Sequence, residues 1–483
     1  MKSGVATKSP SVQSAKQSSK QLQKPKGVSL LRRLEWILDP VTYLERTQIQ
    51  TPDFFEEESL GFGSGPTVVT SHPKAMQYIL SRDRIASSKK NRVPATAKNR
   101  QAFSAPGEFN RILSPLIGTA SAIMLSGKQH KTRRQLMAPA FHGARLDTYG
   151  QIICDLTHSQ VTALTPGQTF AARSLTQQLS LQTIAKVVLG FADGPNSQAM
   201  LDTLTETADS FGSPMSAMLL FFDALQKDLG KWSPWGRFLE RRHQLDELLY
   251  AEIDARLQQP DAGRTDILSM LMAARTEAGD ALSKQELRDE LTALLLAGHE
   301  TTATAIAWSL YWLHRDTGVK EMLLTELDSL APDATPSEIA RLPYLSAVCK
   351  ETLRRSPVAM FTFPRVAQEP VDFLGYHFEP ETVFLGCIFL THQRPDIYTN
   401  PSIFRPERFL EKKFSPYEFI PFGNGSRRCV GEALAQYEQK LAIATLLRHY
   451  SFRLVHQKSE KARRRGVTLA PAKGVPMIFQ GKR

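Results

Sequence analysis

The sequence contains few cysteines, and none of them has the spacing of a metal or redox motif. Four of the 483 residues are cysteines, at positions 154, 349, 387 and 429, and no two of them form C-x-x-C. This excludes a disulfide scaffold and a structural zinc site, and it is typical of a reducing compartment, so we expect a cytoplasmic protein. Cys154, Cys349 and Cys387 lie in apolar periodic stretches and are predicted to be inert core thiols.

The sequence also lacks a long apolar run. No stretch of about 18 uninterrupted apolar residues occurs, so no transmembrane helix is expected. Residues 1–27 contain six lysines and no acidic residue. They have no apolar centre like that of a signal peptide, so they predict a disordered basic tail. A weak contact with a membrane surface is the alternative role for this tail.

Aromatic residues are absent from the basic runs, although the net charge is +12, from 60 basic and 48 acidic residues. Part of the excess lies in the tail and part in the run 461–465. Basic runs without interleaved aromatics argue against nucleic-acid binding. An acidic protein partner is the better explanation of the positive charge.

The stretch 421–433 has the highest density of chemically informative residues. The glycines at 423 and 425 allow positive φ and a close approach of another body to the backbone. A helical pattern begins after Cys429, so the cysteine lies at a loop-to-helix junction beside Arg427 and Arg428, which favours a thiolate. A thiolate suits a soft metal. A simple turn with a buried cysteine is one alternative. A phosphate loop is the other, but its motifs are absent.

The longest helical pattern begins at the capping box Ser283–Glu286 and continues to about Arg315, a length of roughly 45–50 Å. Its centre contains Gly298, which costs about 1 kcal/mol relative to alanine in a helix. Glu300 and Thr301 follow, and a threonine hydroxyl can bond back to a preceding carbonyl. These residues depart from the usual sequence preferences of a helix interior, and such a departure indicates a functional site. The alternative is a kinked core helix in which Glu300 pairs with a cation.

Residues 422–431 match Phe-Gly-x-Gly-x-Arg-x-Cys-x-Gly, the signature of the cytochrome P-450 family, at every specified position. The chain resembles this family from about residue 28 to its end, with five motifs in the family's order, so we expect one catalytic domain over 28–483. The resemblance implies a mainly α fold with a smaller β part, a helical prism around one haem with a long central helix. It also implies haem b as the cofactor, with Cys429 as the axial ligand of the iron.

The resemblance assigns further roles residue by residue. Catalytic residues delivering protons to O₂ are Glu300 and Thr301. Residues contacting the haem or its propionates are His130, Arg134, Arg365, Phe422 and Arg427. A buried structural triad behind the cysteine loop is Glu351, Arg354 and Arg408.

The implied activity is monooxygenation, the insertion of one oxygen atom of O₂ into a C–H bond of a hydrophobic substrate. No flavin or nicotinamide domain fits in the length, so electrons are expected from a ferredoxin or flavodoxin with its NAD(P)H-dependent reductase. The sequence looks most like a soluble bacterial, especially cyanobacterial, subgroup associated with fatty acids, alkanes and terpenes. A monomer is expected.

The resemblance places apolar side chains of several segments around the haem and so implies a deep hydrophobic substrate pocket. The predicted lining residues are Phe109, Leu113, Met218, Phe222, Ala293, Ala297, Phe361 and Phe479. Arg111 is placed to meet a substrate carboxylate at the mouth, which would favour a fatty acid over an alkane or terpene.

An acidic ferredoxin is expected to dock on the cysteine side. The basic residues assigned to that face are Lys128, Lys131, Arg133, Lys412, Lys413 and Arg428. Two other functions remain alternatives: a haem-thiolate isomerase or dehydratase that works without O₂, and a non-catalytic haem gas sensor. The intact motif at 297–301 argues against the first, and no attached signalling domain is visible in support of the second.

Overall fold

The computed structural model describes residue 22 and the ranges 29–51, 53–57, 66–83, 102–190, 195–258, 263–275 and 279–483. The predicted basic tail therefore lies outside the described residues, except for Leu22. Most of the described chain is helical, which confirms the predicted fold class.

The helices of the N-terminal half are α1 Ser29–Leu38, α2 Pro40–Gln50, α3 Pro73–Ser81, α4 Ser114–Ile117, α5 Gly127–Met137, α6 Ala144–Thr162, α7 Ala172–Leu189, α8 Pro195–Asp209 and α9 Pro214–Phe221. Those that follow are α10 Pro234–Gln258, α11 Ile267–Ala273, α12 Lys284–Arg315, α13 Thr317–Asp328, α14 Pro336–Ala340, α15 Pro343–Arg355, α16 Ile388–His392, α17 Arg408–Glu411 and α18 Glu432–His449. A 3₁₀ helix, Gly107–Leu113, precedes α4.

Strands form the smaller part of the fold. They are β1 Phe54–Glu56, β2 Thr67–Thr70, β3 Phe103–Ser104, β4 Thr169–Ala171, β5 Arg365–Ala367, β6 Val371–Phe373, β7 Tyr376–Phe378, β8 Val383–Gly386, β9 Tyr450–Leu454, β10 Ala462–Arg465, β11 Thr468–Pro471 and β12 Pro476–Lys482. One sheet has the order β1-β2-β8-β5-β3, with β2 parallel to β8, and a second has the order β4-β12-β9. The remaining strands form the hairpins β6-β7 and β10-β11.

Helix α12 is the predicted long helix. Ser283 and Glu286 form the predicted capping box, and the 32 residues extend roughly 48 Å. Helix α7 packs along it, and a Cβ added to Gly298 would lie 2.7 Å from Cγ1 of Ile184 in α7. The glycine therefore permits the close approach of α7 and α12. Hydrophobic periodicity does not predict this reason for a glycine in the helix interior.

The main core lies where α6, α7, α12 and α18 meet. Ile153, Leu179, Leu295 and Leu441 come from these four helices and are all completely buried. A fully buried side chain of this size stabilises the fold by about 1.5–3 kcal/mol. This packing fixes the relative positions of α12 and α18, the two helices that bracket the cysteine loop.

The sequence predicts that the basic run 461–465 attracts an acidic partner. In the structure residues 462–465 form β10, and Arg464 is only 1% exposed. No described helix is both long and apolar enough to span a membrane.

Candidate active site around Cys429

The cysteine loop has the backbone geometry that its glycines predict. Gly423 and Gly425 have φ values of +65° and +73°, in the region that favours glycine. The backbone N–H of Cys429 donates to the carbonyl of Phe422 at 2.9 Å, which closes the loop immediately before α18. The cysteine is therefore presented by a closed turn of fixed shape rather than by an extended segment.

A buried carboxylate fastens this loop to the end of α3. Asp83 accepts hydrogen bonds from the backbone N–H of Ser426 at 3.1 Å and from its hydroxyl at 3.1 Å. Arg365 donates to the same carboxylate through Nε and to the carbonyl of Asn424 at 3.0 Å. No sequence pattern pointed to Asp83, because its partners are distant in the chain.

The Cys429 side chain is accessible, yet it lies among many protein atoms. The resulting desolvation is the largest effect on the thiol and raises its pKa, while the N–H of Gly431 and the charges of Arg134 and Arg428 oppose the rise. The guanidinium of Arg427 donates to carbonyl groups elsewhere, and its influence on the thiol stays a prediction. Thiolate formation therefore depends on coordination, since a metal deprotonates a coordinating thiol outright.

Four cationic or potentially cationic side chains cluster near the loop. His130 is buried, and its pKa is lowered to about 3, first by burial and then by the charges of Arg427, Arg134 and Arg365. Burial lowers the pKa of Arg134, while the nearby Cys429 opposes this. Positive charges that lie close together and away from water repel one another, so the binding of an anion between them is favoured. A haem, with two carboxylates at its edge and an iron that takes a thiolate, matches this set of donors.

The arginines of this cluster differ in their present contacts. Arg427 donates to the carbonyls of Ala105 at 2.6 Å, Ala122 at 3.0 Å and Leu125 at 2.5 Å. Within the described ranges, no hydrogen bond or ion pair engages the guanidinium of the half-buried Arg134. Arg134 is thus the guanidinium best placed to bind a carboxylate, and the propionate roles of the other cluster members stay predictions.

One face of α12 approaches the cysteine loop. Phe422 packs with a small cluster that includes Ala305, Leu353 and Val358. Thr301 and Ala297 precede Ala305 by one and two turns on the same helix face. Ala297 is exposed and Thr301 is half-buried, although most residues of this helix centre are buried. This face is therefore open where the resemblance places O₂.

The hydroxyl of Thr301 donates to the carbonyl of Ala297 at 2.7 Å. This is the back-bond that a helical threonine can form. Its oxygen keeps acceptor capacity towards the open face of α12. Thr301 therefore lies on the open face of α12, and its catalytic role stays a prediction.

Glu300 points into a network of charges. Its carboxylate pairs with Arg173 of α7 at 2.6 Å and with Arg465 of β10 at 3.1 Å. Arg465 also pairs with Asp209, whose side chain is half exposed. The alternative interpretation, in which Glu300 pairs with a cation, describes the structure. Through Arg465 and Asp209, Glu300 is connected to the surface of the protein. Proton delivery by Glu300 stays a prediction.

The three predicted triad residues lie together and are buried. Arg354 donates to both carboxylate oxygens of Glu351 at 2.8 Å, and Arg408 donates to Glu351 at 3.1 Å. Arg354 also donates to the carbonyl of His392, whose ring accepts from the N–H of Ile420. The triad therefore reaches the segment that leads directly into the cysteine loop.

Three of the residues predicted to line the substrate pocket lie together. Met218 lies on α9, and Phe222 follows its last residue. Both side chains and that of Phe361 pack against the hydrophobic cluster that includes Trp36. Phe109 and Leu113 on the 3₁₀ helix are half-buried, as a lining residue would be. On α12, Ala297 is exposed, whereas Ala293 is 3% exposed.

Phe479 does not belong to this group. Its ring lies 5.5 Å from that of Phe452 and 6.1 Å from that of Tyr450, in the core between β9 and β12. The strand that approaches Met218, Phe222 and Phe361 is β11, since Leu469 belongs to the cluster against which they pack. The sequence contains a pattern typical of this hairpin, because a two-residue connection that begins with Gly466 separates the segments of β10 and β11.

The docking face needs one correction. Arg133 is 5% exposed and pairs with Glu286 at 2.6 Å and Glu290 at 3.2 Å, so it is unavailable to a partner. Lys128, Lys412, Lys413 and Arg428 are exposed, and Lys131 is half-buried. The core thiol prediction fits Cys349 and Cys387, because burial raises the pKa of each to about 12.

Comparisons with known proteins agree with this geometry. The family model for cytochrome P-450 matches residues 56–477. The chain is 33% identical over 388 residues to a protein named cytochrome P-450 138 of Mycobacterium tuberculosis, which covers 79% of this chain and 84% of the relative. It is 32% identical over 398 residues to cytochrome P-450 137 of the same organism, covering 81% of this chain and 80% of the relative.

Solved structures show the same fold. The retinoic-acid-bound cyanobacterial CYP120A1 has a TM-score of 0.80 at 23% identity and covers 96% of this chain and 100% of its own. The haem domain of cytochrome P-450DA has a TM-score of 0.79 at 20% identity and covers 96% of this chain and 98% of its own.

Proposed function

The chain belongs to the cytochrome P-450 family of haem-dependent monooxygenases, and on that premise we propose that its substrate is a long apolar carboxylic acid. The observation that carries this proposal is the convergence of Met218, Phe222 and Phe361 into one half-buried apolar wall. A fatty acid or an isoprenoid acid fits such a wall, whereas a small charged molecule gains little from it.

Two segments extend the apolar wall. Phe221 packs both with the cluster of Met218 and with the cluster that includes Ile112 and Leu116. The wall therefore continues from α9 onto the segment around the 3₁₀ helix. Each CH₂ that a substrate buries against it contributes about 0.8 kcal/mol, so affinity should rise with chain length.

Basic residues beside the wall support the acid over the alkane or terpene. Arg111 is exposed on the 3₁₀ helix between Phe109 and Leu113. Arg33 lies 4.5 Å from the centre of the Phe222 ring. A carboxylate paired with a guanidinium accepts two parallel N–H bonds, which fixes the orientation of the chain. Retinoic acid, the ligand bound to the cyanobacterial neighbour, is a member of the proposed class.

The substrate proposal is tested by titrating the haem-loaded protein with fatty acids of increasing length, matched alcohols and a retinoid acid. The measured quantity is the dissociation constant from the change in haem spin state. We expect tighter binding with length, and Arg111→Ala should remove the preference for acids over alcohols. An affinity that ignores chain length, or an acid preference that survives Arg111→Ala, would contradict the respective half of the proposal.

Two phenylalanines provide a matched pair of variants. Phe222→Ala should weaken substrate binding with little effect on stability, because Phe222 is half-buried in the wall. Phe479→Ala should lower the stability by about 3–5 kcal/mol while leaving substrate affinity of the remaining folded protein unchanged, because Phe479 lies in the core. Reversal of these two outcomes would place the wall elsewhere.

The chain's residues have separate roles in the proposed reaction. Bound haem supplies activation of O₂ once two electrons and two protons are provided. Cys429 would bind the iron of the haem, and His130 and Arg134 would bind its carboxylates. The open side of Ala297 leaves space beside the hydroxyl of Thr301, which passes protons. The apolar wall orients the substrate and excludes water from the reaction.

For electron transfer we propose an acidic ferredoxin that docks on the cysteine side. The exposed cations there are Lys128, Lys412, Lys413 and Arg428. Attraction between exposed charges is screened beyond about 8 Å at physiological ionic strength. The rate of reduction by a ferredoxin should therefore fall with added salt.

Charge reversal tests the docking face. Lys413→Glu should slow reduction by a ferredoxin, whereas Arg453→Glu should not. Arg453 is exposed on β9, which follows α18, and that helix separates it from the cysteine loop by roughly 27 Å. Equal rates for the two variants, or a rate that does not change with salt, would refute this docking face.

A further inference from the structure

Asp83 is a buried carboxylate whose contacts all converge on the cysteine loop. The residue is 4% exposed and follows α3 by two positions. Its oxygens accept from the backbone N–H of Ser426, from the hydroxyl of Ser426 and from Nε of Arg365. Each contact crosses a separation of more than 280 residues in the chain, so only the tertiary fold creates the site.

The loop is shaped to admit this carboxylate. Gly425 has a φ of +73°, and a Cβ added there would lie 2.6 Å from both carboxylate oxygens of Asp83 and from the carbonyl of Leu80. Any side chain at this position would be strained and would also displace the carboxylate. The glycine is thus required by the approach of Asp83 as well as by the turn.

Arg365 ties the same point to the sheet. Its Nη2 donates to the carbonyl of Asn424 at 3.0 Å, and its Nη1 donates to the carbonyl of Phe363 at 2.7 Å. The guanidinium is 1% exposed, and Asp83 is its carboxylate partner. The loop, the end of α3 and the start of β5 are therefore connected through one carboxylate.

We propose that Asp83 is a positioning residue that keeps the cysteine loop in the geometry needed for thiolate ligation of the haem iron. It acts through Ser426 and Arg365 and does not touch the cofactor. Without its charge, Arg365 is buried without a carboxylate, and the N–H and hydroxyl of Ser426 lose their acceptor. The loop then exchanges among several shapes, and the thiolate bond is lost more readily.

The structure offers a closely matched control in Asp266. This carboxylate is 6% exposed and accepts from Arg256 at 2.7 Å, from the N–H of Ser269 at 2.9 Å and from its hydroxyl at 3.2 Å. It thus has the same kinds of partners as Asp83. It caps α11 rather than the cysteine loop. Asp266→Asn therefore reports the general cost of breaking such a site.

The experiment compares wild type with Asp83→Asn, Asp266→Asn, Gly425→Ala and Gly423→Ala as haem-loaded full-length proteins. The measured quantity is the rate at which the reduced carbon monoxide adduct loses its red-shifted Soret band in mild urea. Global unfolding is followed in parallel by circular dichroism. We expect Asp83→Asn and Gly425→Ala to lose the band about tenfold faster or more while the helices remain folded. Asp266→Asn should lose the band only as the protein unfolds.

Band loss in Asp83→Asn that coincides with global unfolding, as in Asp266→Asn, would reduce Asp83 to a general structural residue and overturn the proposal. If Asp83→Asn yields no haem protein, the comparison of Gly425→Ala with Gly423→Ala decides. Both glycines have a positive φ, but of the two only a Cβ at position 425 would meet the carboxylate of Asp83, so Gly425→Ala should lose the band faster. Equal rates of band loss in these two variants would likewise overturn the proposal.

Discussion

Glu351→Gln should strongly destabilise the protein. Glu351 is completely buried and accepts from Arg354 through two N–H groups at 2.8 Å, from Arg408 at 3.1 Å and from the backbone N–H of Arg405 at 2.9 Å. Glutamine has nearly the same volume, so the substitution leaves no cavity. It removes the charge that compensates two buried guanidinium groups.

The expected magnitude follows from the burial. Breaking a buried ion pair by neutralising one partner costs about 3–5 kcal/mol, because the other charge remains desolvated. A typical domain has a free energy of unfolding of only about 5–15 kcal/mol. Glu351→Gln should therefore lower the urea midpoint markedly and reduce the haem content of the purified protein, since the triad reaches the segment before the cysteine loop.

An exposed pair with similar geometry supplies the control. Asp328 accepts two hydrogen bonds from Arg483, at 2.8 and 2.5 Å, with side chains 52% and 33% exposed. Exposed pairs contribute about 0–1 kcal/mol, so Asp328→Asn should have little effect on the urea midpoint. Similar midpoints for the two variants would refute the argument that burial sets the value of the triad.

Three further predictions concern the site and the core. Cys429→His should abolish the red-shifted Soret band of the reduced carbon monoxide adduct. If this band persists in the variant, ligation of the iron by the Cys429 thiolate is disproved. Thr301→Ala should leave substrate binding near normal but increase the peroxide released per NAD(P)H consumed, whereas unchanged coupling would contradict proton transfer through its hydroxyl. Burial raises the pKa of Glu438 to about 8, so the unfolded chain ionises first as pH rises above 4.5. The free energy of unfolding should therefore fall between about pH 4.5 and 8, by about 3 kcal/mol at pH 7, and Glu438→Gln should remove that part of the slope, which an unchanged pH profile would rule out.

The sequence alone determined the features that depend on neighbouring residues. The capping box at Ser283, the length of α12 and the turn at Gly423 arise from local hydrogen bonds and backbone freedom, which a short window of residues contains. The match over 422–431 identified the family for the same reason, because a metal-binding loop concentrates its chemistry in one stretch. These predictions agree with the structure and with the family comparison.

Which side chains meet depends on the three-dimensional packing of distant segments. Phe479 and Phe222 are equally apolar in the sequence, yet Phe479 packs in the core and Phe222 is half-buried beside Met218 and Phe361. Arg133 appeared to be a surface cation, but it pairs with two glutamates of α12. No local sequence pattern marks Asp83, because its hydrogen-bond partners lie more than 280 residues away in the chain and meet it only in the folded protein. Burial and charge pairing depend on such distant contacts, which no local pattern encodes.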